Sequence, residues 1–351
     1  MILQCRKNGI KIIKYILFKN KVIKQIKHED YCYINFEHNL NLNYYTKNII
    51  YTYSSLSIPN ITYKLNIDSA KLIKLREHKF KNYVSSQYLT KRLKINEDLF
   101  VTISYKKSLF NKNGTNPGYL YGYGSYGYNI ETNFNKYIIS LLDRGYIYGI
   151  AHIRGSSYKG YQWYLDGKLT KKKNTFNDFI ECTKYLINKK YVDSNNLSIF
   201  GGSAGGLLIG AVINKEPLLY KNAILNVPFV DCLTTMLDKS LPLTTTEYHE
   251  WGNPDKNKTI YDYILSYSPI DNIGNKLYPN ILINTSLNDT RVNYVEPVKY
   301  CAKMRDMAEC FKNKRKIIMK VDLKSGHSGS SERYITMKNK AFEYAFILNK
   351  S

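Results

Sequence analysis

The sequence predicts an α/β protein: a doubly wound, mostly parallel sheet preceded by a short β-rich stretch. Three observations predict it. From residue 97 onward, strand-like apolar runs alternate with segments of helical period, the pattern of successive βαβ units. Residues 1–76 contain only short β-type runs. A Gly-x-Ser-x-Gly pentapeptide, Gly201-Gly202-Ser203-Ala204-Gly205, joins an apolar strand directly to a helix. With 351 residues and 44% hydrophobic content, the chain can bury a sizeable core.

In the first region, "IKIIKYILF", "KVIKQIK", "NIIYTYSS" and "ITYKLNID" mix apolar and β-branched residues between Asn, Lys and Ser-Pro turns. The character changes around residues 77–95, so the chain divides into 1–76 and 77–351. "GYLYGY" (118–123) is a strand. "TNFNKYIISLLDRG" is expected to be a helix, with Thr132 as its N-cap and Gly145 as its stop. "YIYGIAHI" is the next strand, and in "NTFNDFIECTKYLINKK" Phe176, Phe179, Ile180, Leu186 and Ile187 share one helical face. "LSIF" leads into "GGSAGG" and the helix "GLLIGAVIN". "NAILNVPF", "NILINTS" and "KIIMKVDL" are buried strands, and "ERYITMKNKAFEYAFILNK" closes the chain as a helix.

The net charge of +24 raises the question of a nucleic-acid or acidic-membrane partner. The lysines are spread along the chain, no DNA- or RNA-binding motif accompanies them, and Tyr, Lys, Ile and Asn are over-used together. The charge therefore reads as compositional drift on solvated faces, with no nucleic acid and no membrane as partner. Cys5, Cys32, Cys182, Cys232, Cys301 and Cys310 show neither Cys-x-x-Cys nor His-paired spacing, so they are expected to be reduced thiols, with no metal and no cofactor. Lysines interrupt the amino-terminal apolar run, which argues against a signal peptide and for a cytoplasmic protein.

A serine on a sharp strand-to-helix turn has its hydroxyl exposed, and flanking glycines are needed because side chains there would collide with neighbouring backbone. The hydroxyl becomes a strong nucleophile only with a base, and the base needs a carboxylate to orient it. In an α/β-hydrolase these follow in the order Ser, Asp or Glu, His. Asp289 follows the strand "NILINTS" and His327 follows "KIIMKVDL", so both fall beyond strand carboxyl ends, where open α/β sheets place their sites. Gly122, Gly124 and Gly127 spell Gly-x-Gly-x-x-Gly, but "YNIE" rather than a helix follows Gly127 and no acid ends the next strand, so the dinucleotide reading fails.

"LLDRGYIYGIAHIRG", "QWYLDGKLTKKKNTFND", "GGSAGG", "VPFVDCLTTMLDKSLPLTTTEYHEWGNP" and "YSPIDN" resemble the prolyl oligopeptidase family, and within it the oligopeptidase B (protease II) branch, from about residue 50 to the carboxyl terminus. The resemblance implies a cytosolic serine endopeptidase cutting short peptides after Arg or Lys. It makes Ser203 the nucleophile, His327 the general base and Asp289 its orienter. Tyr123, from the family's Tyr-Gly-Tyr-Gly loop, and the Ala204 N–H would form the oxyanion hole. Glu247 would receive the basic side chain before the scissile bond, Arg291 would hold a substrate carbonyl, and Glu131 would favour a second basic residue.

The sequence departs from the family at His249, where a further acid is common, and at Asn133, where a second acid is replaced. Preference for paired basic residues should therefore be weaker. The family also carries a seven-bladed β-propeller, of which residues 1–76 resemble the end of one, a blade and part of another. On that basis the expectation is a catalytic region with a truncated propeller, which a separate chain could complete. Two other readings stand beside the peptidase: a non-catalytic or partner-dependent fragment, and a general α/β-hydrolase esterase, from which Glu247 would separate it.

Overall fold

The computed structural model describes residues 1–17, 22–28, 31–307 and 315–349; Phe18, Lys21 and Cys310 lie outside the described residues. Strands β1 (Ile2–Lys7), β2 (Ile10–Leu17) and β3 (Val22–Gln25) form an antiparallel sheet. β1 and β2 join through Asn8-Gly9, both at positive φ (49° and 83°), which matches the right-handed twist of a hairpin. A four-stranded antiparallel meander follows: β4 (Tyr33–Phe36), β5 (Asn48–Ser55), β6 (Ile58–Asn66) and β7 (Leu72–Glu77). Ile13 and Tyr15 of the first sheet pack against Ile34, Ile49, Tyr51 and Leu65 of the second, giving the two one shared core.

The main sheet contains β8 (Tyr88–Lys94), β9 (Phe100–Lys106), β10 (Gly118–Tyr121), β11 (Ile147–His152), β12 (Leu197–Gly202), β13 (Asn222–Asn226), β14 (Asn280–Ser286) and β15 (Ile317–Asp322). Its order is β15-β14-β13-β12-β10-β11-β9-β8. The six strands β10 to β15 are parallel to their neighbours, and β9 and β8 add antiparallel at one edge. β10 lies between β11 and β12, so the winding direction reverses there and the segments leaving β10 and β12 emerge side by side. Open α/β sheets open a crevice at such a point.

Helices cover both faces. They are α1 (Ile139–Leu142), α2 (Tyr161–Leu165), α3 (Lys173–Asn188), α4 (Ala204–Lys215), α5 (Cys232–Leu237), α6 (Thr244–Trp251), α7 (Lys258–Leu265), α8 (Val295–Met307) and α9 (Arg333–Leu348). Strand side chains alternate between the faces. Ala223, Leu225, Ile281 and Ile283 join the core containing Phe176, Phe179 and the α4 side chains, whereas Tyr119, Ile224 and Leu282 join Leu141, Leu142, Tyr344 and Ile347 from α1 and α9. α4 is buried from Ala204 to Asn214, which explains why its sequence is apolar all round. No described helix is long and apolar enough to cross a membrane.

The helix expected over 132–145 is much shorter than its sequence pattern. Thr132 does not cap it; its hydroxyl donates to the Tyr31 carbonyl (3.4 Å), and the Phe134 N–H donates to Ser54 Oγ (2.9 Å). These contacts with the β-rich region draw residues 132–134 away from helical geometry. Asn135 instead accepts the Tyr137 N–H and caps a single turn that runs into α1. Gly145, at φ +81°, ends the segment as expected.

Candidate active site

Ser203 sits between β12 and α4 at φ +55°, ψ −121°, a region strained for any residue with a side chain. Three contacts enforce the turn: the Ser203 N–H donates to Asn226 (2.8 Å), and its carbonyl accepts from Gly206 (2.8 Å) and Phe229 (3.1 Å). A Cβ at Gly201 would stand 2.2 Å from the Gly205 carbonyl oxygen, and one at Gly206 would stand 2.3 Å from Pro228. Gly201 and Gly206 are thus required by close approach, whereas a Cβ at Gly202 would find ordinary room, 3.4 Å from the Asn226 carbonyl oxygen. Ala204 is the first residue of α4, so its N–H has no intrahelical acceptor and points out of the helix start.

Asp289 follows β14. Its side chain is fully buried, and it accepts hydrogen bonds from the N–H groups of Arg291 (2.8 Å) and Val292 (2.9 Å). His327, 12% exposed at its side chain, donates from Nδ1 to both carboxylate oxygens at 2.8 and 3.0 Å. Burial pushes the Asp289 carboxyl up, but the bonds from His327, Val292 and Arg291 outweigh it and hold it below the ordinary carboxylate range. Among the described residues no hydrogen bond joins His327 to Ser203. The Asp–His half of the expected relay is formed and the Ser–His half is open. Catalytic hydrogen bonds are often long before substrate binds.

The Tyr123 hydroxyl is instead in hydrogen-bonding contact with Ser203. Burial first, and then the Glu250 and Glu247 carboxylates, push it up to about 12, with Ser203 opposing. The phenol therefore remains protonated at neutral pH and available as a donor. Tyr123 belongs to the segment leaving β10, which reaches α4 because Gly205 has no side chain: a Cβ there would lie 3.0 Å from the Gly122 carbonyl oxygen. The stretch Gly122–Gly127 is a close-packed loop with no helix behind it.

Tyr123, Ser203, Ala204, Glu247, Asp289 and Arg291 line one cleft of about 520 Å³. Glu247, on α6, accepts a hydrogen bond from Trp251 Nε1 (3.0 Å) and is bonded to the Tyr126 hydroxyl. Burial and the adjacent Glu247 carboxylate push the Tyr126 hydroxyl well above its ordinary value. Trp251 meets Tyr126 edge-on at 5.7 Å and Phe229 at 5.2 Å, so aromatic rings wall the carboxylate. Such a site suits a planar cation, which can stack on rings and pair with carboxylate together. Tyr126, Phe229 and Trp251 were not read from the sequence; the pairing of Trp251 with Glu247 at i, i+4 on one helix was the available signal. Arg291 is exposed at the cleft and makes no side-chain hydrogen bond or ion pair among the described residues.

Glu131 is not in this cleft. It pairs with Arg6 of β1 and Lys11 of β2 (Lys11 Nζ at 3.2 Å), and lines, with Asn133, a separate cavity of about 440 Å³ between the meander and the main sheet. The charge pattern of the amino-terminal strands could not reveal this, because the pairing spans more than a hundred residues. His249 is exposed on α6 and does not line the cleft. Among the described residues no cluster of His, Cys, Asp and Glu is arranged to hold a metal.

The sequence model of the prolyl oligopeptidase family matches residues 132–351. The chain belongs to that family. It is 42% identical over 305 residues to dipeptidyl aminopeptidase BI of Pseudoxanthomonas mexicana, covering 86% of this chain and 42% of the relative. It is 41% identical over 312 residues to protease 2 of Moraxella lacunata, covering 88% and 44%. In three dimensions it is similar to oligopeptidase B of Leishmania major (TM-score 0.89, 34% identity, 99% of this chain and 49% of that one). It is equally similar to oligopeptidase B of Trypanosoma brucei (TM-score 0.89, 36% identity, 99% and 50%). The chain spans less than half the length of the curated relatives it matches. This prolyl oligopeptidase family chain thus aligns with its structural relatives through both its β-rich region and its main sheet.

Proposed function

We propose that the chain carries serine peptidase activity and cleaves short peptides after Arg or Lys. The observation that carries this reading is the Glu247 carboxylate, walled by Tyr126, Phe229 and Trp251, in the same cleft as Ser203. A substrate guanidinium or ammonium paired with Glu247 would lay its following carbonyl over Ser203. His327, oriented by Asp289, would take the Ser203 proton as Oγ attacks the carbonyl carbon. Tyr123 and the Ala204 N–H would donate to the oxyanion of the tetrahedral intermediate. His327 would then give its proton to the leaving amine, and water would repeat the sequence to release the acid. Arg291 would bind a neighbouring substrate carbonyl.

Support comes also from the Trypanosoma brucei relative, an oligopeptidase B with covalently bound antipain. The name of the Pseudoxanthomonas relative favours a second cleavage mode, removal of dipeptides from a free amino terminus. Blocked and unblocked Arg amides distinguish the two. The partners we propose are short basic peptides, without nucleic acid or membrane, in a reducing cytoplasm. The deciding experiment treats the chain with a fluorophosphonate probe and with Arg, Lys and neutral amides. Labelling that disappears in Ser203→Ala, with cleavage of basic amides only, is the expected result. Folded protein showing neither would overturn the reading, and equal cleavage of neutral esters by Glu247→Ala and its parent would be compatible with a loss of basic preference alone.

A further inference from the structure

Beneath the loop that carries Tyr123 lie two buried charge-bearing side chains, Lys172 and Glu250, that the chemistry above does not use; they form no ion pair with each other. Lys172, just before α3, is 1% exposed. Its Nζ donates to the Gly124 carbonyl (2.5 Å) and to Ser125 Oγ (2.7 Å), and sits 5.2 Å from the Trp251 ring centre. Glu250, on α6, is fully buried. It accepts the Tyr126 N–H (2.9 Å) and the Tyr164 hydroxyl (2.5 Å), with Lys168 Nζ at 3.8 Å. Ser125 is itself fully buried.

Burying a lysine and a carboxyl is costly unless each finds partners, and a core of this size could fill their place with apolar groups. Both reach one short segment: Lys172 grips residues 124 and 125, and Glu250, held also by Tyr164 and Lys168, grips residue 126. The residue before that segment is Tyr123. The residues beside Glu250 on α6 are Trp251 and, one turn back, Glu247. The same pair therefore reaches the oxyanion donor and the carboxylate of the basic-residue pocket. Burial lowers the Lys172 ammonium to about 8 against the opposing pull of Glu250, so its charge is sustained near neutrality.

We infer that Lys172 and Glu250 are positioning residues that fix the Gly124–Tyr126 loop from below and so set the placement of the Tyr123 hydroxyl relative to Glu247. This rests on the peptidase reading of the cleft. The test is a double-mutant cycle, which isolates coupling between sites. Lys172→Met should lower kcat on an Arg amide by about tenfold or more with KM changed less than about twofold, since the interaction affected is realised in the transition state. In a Tyr123→Phe background the same substitution should cost less than about threefold, because the group it positions is gone. A purely structural role would give equal losses in both backgrounds, and that result, or an unchanged kcat, overturns the proposal. Should Lys172→Met fail to fold, Glu250→Gln enters the same cycle with the same expectations. Hydrogen exchange supplies a readout independent of turnover: residues 122–128 should exchange faster in either variant while α4 keeps its protection, and unchanged exchange there overturns the inference. If Ser203 in the unaltered chain takes no fluorophosphonate and no amide is cleaved, the peptidase reading fails, and the exchange result alone decides on the pair.

Discussion

At the scale of single residues, Tyr123 is the side chain whose removal is most informative. Its hydroxyl contacts Ser203 and stays protonated until about pH 12, so Tyr123→Phe should remove a donor without altering any charge. The expected outcome is a kcat lowered by roughly 10²–10³-fold with little change in KM. Steady-state kinetics on an Arg amide check it, and a loss under threefold would remove the residue from the oxyanion hole. Asp289→Asn should lower kcat by about 10⁴-fold, because an amide favours the wrong imidazole tautomer while preserving shape. Much of the site was legible at this scale. The serine was legible through its strand-turn-helix context, and Asp289 and His327 through their positions after strands. What stayed illegible were relations between side chains far apart in sequence: the open Ser203–His327 contact, the pairing of Glu131 with Arg6 and Lys11, and the enclosure of Glu247 by rings from three segments.

At the scale of elements, backbone proximity explains what residue preferences alone do not. Arg154 is followed by Gly155 at φ +89°, and a Cβ there would stand 1.9 Å from the Gly124 carbonyl oxygen, the acceptor of the Lys172 bond. Gly155→Ala should therefore displace the Tyr123 loop as well as strain the chain, at a cost of about 3 kcal/mol. Denaturant unfolding and kcat should both register it; a variant with parental stability would show that the loop yields easily. The two serines after Gly155 bond back to nearby backbone, Ser156 Oγ donating to the Ile153 carbonyl (2.8 Å) and Ser157 Oγ to the Gly127 carbonyl (2.7 Å). Strand and helix types were readable because apolar periodicity dictates them over most of the main sheet. The hairpin β1–β2 was not read, although Asn8-Gly9 before an apolar run was an available signal. The segment 132–145 misled because its helical period competes with hydrogen bonds to Tyr31 and Ser54 that no local pattern encodes.

At the scale of the whole molecule, the coupling of the β-rich region to the main sheet should appear in the pH dependence of stability. His152 on β11 is buried, bonded to Thr102 (2.8 Å) and stacked on Tyr158. Burial first, then Arg92 and Arg6, lower it to about 3. The unfolded chain binds a proton there near pH 6.5 and the folded chain does not. Its stabilising contribution is thus present above about pH 6.5 and is lost as pH falls towards 3, reaching roughly 2 kcal/mol of loss by pH 5. Glu296, raised to about 7 chiefly by burial, acts in the opposite sense, so the comparison is between His152→Gln and its parent. The variant should lose less stability between pH 7.5 and 5 in urea titrations; parallel profiles would exclude His152 as a source.

The Asn8-Gly9 turn is seated against Tyr158, and the adjoining strands bring Arg6 and Lys11 to Glu131. A carboxylate already neutralised by two tethered cations is closed to a third that arrives by diffusion. Substrates with Arg-Arg and Ala-Arg before the cut should therefore be processed alike by this chain. Vacating the carboxylate with Arg6→Ala and Lys11→Ala should open a preference for Arg-Arg, turning substrate choice into a gauge of how firmly the hairpin is docked. If choice stays flat after both substitutions, Glu131 serves as a fastener between two parts of the fold and takes no share in recognition.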